Sequence, residues 1–102
     1  MKIIQELSDM IEEELEDACK YVKAALLYKT DRQSLAQTFY SLSMDEMKHF
    51  NILHDEVVKA INEYKSTGAE VPPEMQAVYD YVHKKHIEKA GNIKILMDAY
   101  RE

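Results

Sequence analysis

Two long segments of this chain carry side chains at alternating steps of three and four residues. In residues 2–29 the repeating positions are Ile4, Leu7, Ile11, Glu14, Ala18, Tyr21, Ala25 and Tyr28. In residues 32–65 they are Leu35, Phe39, Leu42, Glu46, His49, Leu53, Glu56 and Ala60. This heptad-like spacing puts each set on one face of an α-helix. We therefore predict two long helices whose mainly apolar stripes face a common core.

The break between these two segments is short. Thr30 and Gln33 have the spacing of a capping box, and Asp31 is the alternative N-cap. A turn this short favours two adjacent antiparallel helices, so we predict a helical hairpin.

The rest of the chain predicts one more helix, over residues 74–101, after a linker at 66–73. In the linker, Gly68 suits a helix C-cap and Pro73 a helix start. Gly91, next to Asn92, is a point where the third helix could kink or split. One face of that helix is predicted to hold Met75, Val78, Val82, His86, Ile93, Leu96 and Tyr100.

Composition narrows the possible functions. With 102 residues the chain is expected to form one domain, residues 1–102, and three helices alone would give a thin core, so we expect self-association. A net charge of −6 argues against nucleic acid as a partner. The single Cys19 fits a reducing compartment. No apolar run is long enough to span a membrane and no signal peptide is evident, so we expect a cytoplasmic protein.

Four polar residues interrupt the apolar stripes: Glu14, Glu46 and His49, and Glu56 about two turns after His49. Glu46 and His49 are three residues apart, so their side chains stack on one face of the second helix. Burial of an unpaired carboxylate is energetically unfavourable, so we expect a partner for each buried Glu, and a metal ion is the simplest one. In di-iron four-helix bundles, two helices each give one Glu and the other two each give a Glu-x-x-His pair. This chain supplies half of that set, so we predict that a homodimer completes the four-helix bundle and the metal site.

Other interpretations stay open. A Glu-x-x-His pair also occurs by chance, and Glu14, Glu46 and His49 could form a metal-free Glu–His cluster that fixes the register of a dimer, as in an interaction module. Tyr21 is either a support for the ligand carboxylates or a core residue. Further candidate ligands are Glu56, His83 and His86.

Several other polar side chains are expected to be mainly solvent-facing. They are His54, Glu12, Glu13, Glu16 and Asp17.

At these motifs the chain resembles the ferritin-like superfamily. Asp45–His49 is similar to the ferroxidase segment of bacterioferritins, and Glu14–Tyr21 has the Glu-x6-Tyr pattern of their first helix, which rubrerythrins share. The resemblance covers about two-thirds of the chain. It implies an all-α fold with a di-iron site, in which Glu14, Glu46 and His49 bind iron and Tyr21 supports the cluster.

The second half of the chain departs from bacterioferritins because it has no second Glu-x-x-His. In that respect the chain resembles the encapsulated ferritins, short chains whose half-sites pair across a dimer and whose dimers form rings. The chain lacks a Gly/Leu-rich tail of the kind that docks cargo, so residence in the lumen of an encapsulin shell stays open.

The resemblance implies a ferroxidase that oxidises Fe(II) to Fe(III), with dioxygen or peroxide as oxidant. Manganese or zinc could replace iron in such a ligand set. The alternatives are the interaction module and a rubrerythrin-like peroxide reductase. The reductase would need an external electron donor because the chain has no rubredoxin-type cysteines.

Overall fold

Three α-helices make up the fold. The computed structural model describes residues 1–102 and contains α1 (Lys2–Tyr28), α2 (Gln33–Ser66) and α3 (Pro73–Arg101). The prediction of an all-α chain with three helices is confirmed, and each end lies within a residue or so of its predicted place. The molecule is an elongated rod of 57 × 18 × 18 Å.

The turn between α1 and α2 is built by the backbone. Arg32 is the N-cap residue of α2 and makes no side-chain cap hydrogen bond. Its N–H donates to the carbonyl of Tyr28 at 2.9 Å. The predicted capping box is therefore wrong: Thr30 precedes the N-cap by two residues, and its hydroxyl donates to Asp31 instead. The turn is short as predicted, and α2 returns antiparallel to α1.

The linker before α3 follows the predicted turn chemistry. Gly68 has a φ of +82° just after α2, where an L side chain would be strained, and its N–H donates to the carbonyl of Lys65 at 3.1 Å. Pro73 is the first residue of α3, where its missing N–H leaves no helical hydrogen bond unmade. At Gly91, by contrast, the helix continues without a break, so the suggested split is wrong.

The buried face of α2 is displaced by about one residue from its predicted stripe. Leu35, Leu42 and His49 are exposed, and so is Glu56. The difference arises because α3 packs mainly on α1. The core therefore lies between all three helices, and the predicted stripe of α2 lies outside it, at the side of the hairpin. The buried residues are Ile4, Ile11, Leu15, Ala18, Val22 and Ala25 of α1, Ala36, Tyr40, Ser43, Met47 and Phe50 of α2, and His86, Ala90, Ile93 and Met97 of α3.

On α3 the predicted face is partly correct. His86 and Ile93 are buried, whereas Val78 is 58 % exposed. The first half of α3 therefore buries less of its apolar surface than the second half.

Small residues bring α1 and α2 close together. Ala18, Ala25, Ala36 and Ser43 have no exposed surface. The Ser43 hydroxyl donates to the carbonyl of Ala18 at 2.7 Å, which ties the middle of α2 to the middle of α1. This contact sets the register of the hairpin next to the candidate site.

None of the three helices has both the length and the apolar composition that a membrane crossing requires.

Candidate metal centre

The structure brings Glu14, Glu46 and His49 together at the middle of the hairpin. One ligand atom from each lies within 4.8 Å of the others. His49 Nδ1 is 3.3 Å from Oε2 of Glu14 and 3.9 Å from Oε2 of Glu46. Two carboxylates and one imidazole, from two antiparallel helices, thus point at a common position.

Helix spacing and helix packing place these three groups. Glu46 and His49 stack on α2 because they are three residues apart. Glu14 comes from α1, one turn before Ala18, whose carbonyl accepts the Ser43 hydrogen bond. The close approach at Ala18 and Ser43 therefore holds Glu14 against the α2 pair.

The two carboxylates perturb each other. A hydrogen bond that protonated Glu46 donates to Glu14 raises the pKa of Glu46 to about 7, with burial and the Glu14 charge adding to the rise and His49 opposing it. In the absence of a cation, a shared proton relieves the repulsion between two adjacent carboxylates. A cation bound between them would take the place of that proton.

The site lies at the surface of the single chain. The side chains of Glu14 and Glu46 are 24 % and 19 % exposed, and that of His49 is 52 % exposed. We call the side of the hairpin that carries them the open face. At heptad-related positions it also carries exposed apolar residues: Ile3 and Met10 on α1, and Leu35 and Leu42 on α2.

The donor set fits a transition-metal ion. Carboxylate oxygens with one imidazole nitrogen suit iron, manganese or zinc, and provide no thiolate that would select a softer ion. A single chain offers one imidazole and two carboxylates on one side of the site. An ion held only by these groups would keep open coordination positions facing away from the hairpin.

Two further predicted site residues lie outside this cluster. Tyr21 stacks on Phe39 with ring centroids 6.2 Å apart and makes no hydrogen bond to Glu14 or Glu46. Glu56 is exposed and contacts Lys59 at 3.1 Å. The structure therefore gives Tyr21 a packing role, and places Glu56 away from Glu14, Glu46 and His49.

The remaining histidines form a second group. His86 is buried on α3, with Nε2 3.2 Å from Oε2 of Glu12 on α1. The ring of His83 stacks on that of His54 at 5.1 Å between centroids. The expectation that Glu12 and His54 face solvent is wrong: both are half-buried against α3. The burial of these two side chains depends on where α3 packs, and the heptad pattern of α1 and α2 does not predict it.

The two groups lie on different sides of α1. Glu12 and Glu14 are two residues apart, which separates their directions by about 200° around a helix. His83 and His86 consequently do not contribute to the cluster of Glu14, Glu46 and His49.

Searches against family models, curated proteins and solved structures found no significant match to this chain.

Proposed function

We propose that this chain binds ferrous iron and oxidises it to ferric iron at a di-iron site shared by two copies of the chain. The observation that supports this most is the convergence of Glu14, Glu46 and His49 on the open face, with ligand atoms within 4.8 Å of one another. The set is half of what a di-iron helical bundle uses. A two-fold axis at the open face would bring the second half opposite the first.

The apolar surroundings support the same arrangement. Exposed Leu35 and Leu42 lie on the α2 stripe that also carries Glu46 and His49. Contact between two open faces would bury these side chains and remove water from the carboxylates. The half-exposed His49 would then lie inside a bundle of four helices.

The residues of each chain have distinct tasks in the proposed reaction. Glu14 and Glu46 neutralise the bound cations and stabilise the higher charge of the ferric state, and His49 adds a directional nitrogen ligand. Two ferrous ions lose one electron each, and dioxygen with two protons accepts both electrons to give hydrogen peroxide. With hydrogen peroxide as oxidant, two electrons and two protons give two waters.

Native mass spectrometry before and after anaerobic addition of ferrous iron tests the proposal. We expect dimers, or rings made of dimers, that gain two irons per pair of chains. Admitting oxygen should then consume about one O2 per two irons, by the electron count above. A chain that stays monomeric, or a dimer without specific iron uptake, would contradict the proposal.

Matched variants identify the ligands. Glu14→Gln and Glu46→Gln keep the side-chain volume but remove a charge, and each should abolish stoichiometric iron uptake. Their controls are Glu13→Gln and Asp45→Asn, which change exposed carboxylates at the neighbouring positions of α1 and α2. Equal iron uptake by the ligand variants and the controls would show that the bound iron lies elsewhere.

A metal-free dimerisation module is the second candidate. It is favoured by the raised pKa of Glu46, because a proton shared with Glu14 lets the two carboxylates coexist without any cation. Such a module would form the same dimer through the open face but take up no iron. The mass spectrometry experiment separates the two, since only the ferroxidase gains two irons per dimer.

A further inference from the structure

Three of the four histidines of this chain lie near one another, on the side of α1 away from Glu14. We propose that His54, His83 and His86 form a second, separate site for a divalent transition-metal ion such as zinc. The site would join α2 to α3, two helices that otherwise make little contact with each other.

A groove of about 920 Å³ contains these histidines. It lies between the first half of α1, the second half of α2 and the first half of α3, and His54, His83 and His86 are among the residues that line it. Its walls also hold apolar side chains such as Val57 and Val82. Zinc needs three or four ligands from a confined volume, and imidazole nitrogen is among its preferred donors.

One ring nitrogen of His86 already lies beside a carboxylate. Its side chain is only 7 % exposed, and Nε2 lies 3.2 Å from a Glu12 oxygen. Metal-bound histidines commonly place their other ring nitrogen against a carboxylate, which fixes the orientation of the ring. Glu12 occupies that position here, which leaves Nδ1 of His86 for the ion.

The protonation state of His86 agrees with this role. Burial lowers the pKa of His86, and the neighbouring His83 and His54 lower it further. Lys89 also contacts Glu12, so that carboxylate lies between the ammonium group and the imidazole. A neutral imidazole is the form that binds metal.

His54 and His83 complete the ligand set after a change of side-chain rotamer. Their rings are now stacked at 5.1 Å and do not converge on one point. Both rings line the open groove, and His83 is exposed. Rotation about the side-chain bonds would turn one nitrogen of each ring toward His86, with water as a fourth ligand.

Zinc binding to a variant without the first centre tests the proposal. In the double variant Glu46→Gln/His49→Ala, equilibrium dialysis should still show one zinc per chain, and the NMR signals of His54, His83 and His86 should shift together. Adding His83→Gln or His54→Gln should weaken zinc binding at least ten-fold. Lys85→Gln is the control on the exposed side of α3, and should leave the affinity unchanged.

Two results would overturn the proposal. One is the absence of stoichiometric zinc in the double variant while its helical circular dichroism is retained. The other is equal zinc affinity with and without the histidine substitutions. His54 and His83 are better probes than His86, because replacing a buried side chain could itself unfold the chain.

Discussion

Glu46 shows how one side chain can link the candidate site to the stability of the fold. Its pKa is raised from 4.5 to about 7, first by the hydrogen bond with Glu14 and then by burial. In the unfolded chain both causes vanish, so the carboxyl returns toward its ordinary pKa. The folded state therefore holds a proton that the unfolded state releases between these two pH values.

The metal-free protein should lose stability as pH rises through this window. Below pH 4.5 Glu46 is protonated in both the folded and the unfolded state, and above about pH 7 it is ionised in both. The stabilisation that its proton gives the folded state is therefore lost as the pH rises from 4.5 to about 7. We expect a loss of roughly 2–3 kcal/mol from this group between pH 5 and pH 8. Urea unfolding at several pH values measures it.

Glu46→Gln is the matched variant for this measurement. Its amide can still donate to Glu14 but does not titrate, so most of the pH dependence between 5 and 8 should disappear. An equal loss of stability in the variant and the natural sequence would mean that Glu46 does not hold the proton.

The sequence could identify the three site residues because helix geometry alone relates them. Glu46 and His49 share a face at any position in the fold, and Glu14 lies opposite them once the turn is short. Glu12, His54 and His86 could not be placed in the same way. Their contacts depend on where α3 lies, and α3 follows a linker that leaves its direction undetermined.

At the scale of the helices, the register of the hairpin depends on small side chains. Ser43 is fully buried and donates to the carbonyl of Ala18 at 2.7 Å. The apolar periodicity predicted the helices well but placed the core one residue away on α2. The actual core follows Ala36 and Ser43, small residues that a search for large apolar side chains passes over.

Substitutions at Ser43 should separate its hydrogen bond from its small size. Ser43→Ala removes the hydrogen bond and should cost about 1 kcal/mol of unfolding free energy. Ser43→Leu also pushes the helices apart and should cost about 1–3 kcal/mol more. Thermal unfolding followed by circular dichroism gives both values, and Ser34→Leu at an exposed position of α2 is the control. Similar values for the two Leu variants would show that the helices are not closely packed at Ser43.

The two glycines should respond in opposite ways to alanine. Gly91 lies inside α3 with nothing within 4 Å of an added Cβ, so Gly91→Ala should stabilise the protein by about 0.5–1 kcal/mol. Gly68 has a φ of +82°, so Gly68→Ala should destabilise it by about 1 kcal/mol. Chemical unfolding of both variants checks the pair, and a destabilising Gly91→Ala would mean that α3 bends there.

At the scale of the whole molecule, the chain leaves much of its apolar surface uncovered. Only 15 of 102 residues are buried, and large apolar side chains are exposed on every helix. A rod 18 Å across is too thin to enclose more. The predicted stripe of α2 lies at the surface of the single chain, which is where a partner would have to cover it.

Leu42→Glu should therefore separate the proposed dimer and abolish iron uptake together. Leu42 is 36 % exposed on the α2 stripe, one turn before Glu46. If two open faces are in contact, the substitution places two new carboxylates in an apolar interface. They also lie close to Glu14 and Glu46, whose carboxylates already repel each other, so the dimer should dissociate into monomers. Each monomer keeps its own half of the ligand set but has no partner to complete it, and specific iron binding should fall with the dimer.

Ile95→Glu is the matched control for Leu42→Glu. Ile95 is 67 % exposed on α3, so the same new charge falls outside the open face and should change neither association nor iron uptake. Sedimentation velocity at micromolar concentration reports the association, and iron titration of the same samples reports the site. A Leu42→Glu protein that remains dimeric would place the interface elsewhere. A monomer that still binds iron with full affinity would show that one chain suffices for the site.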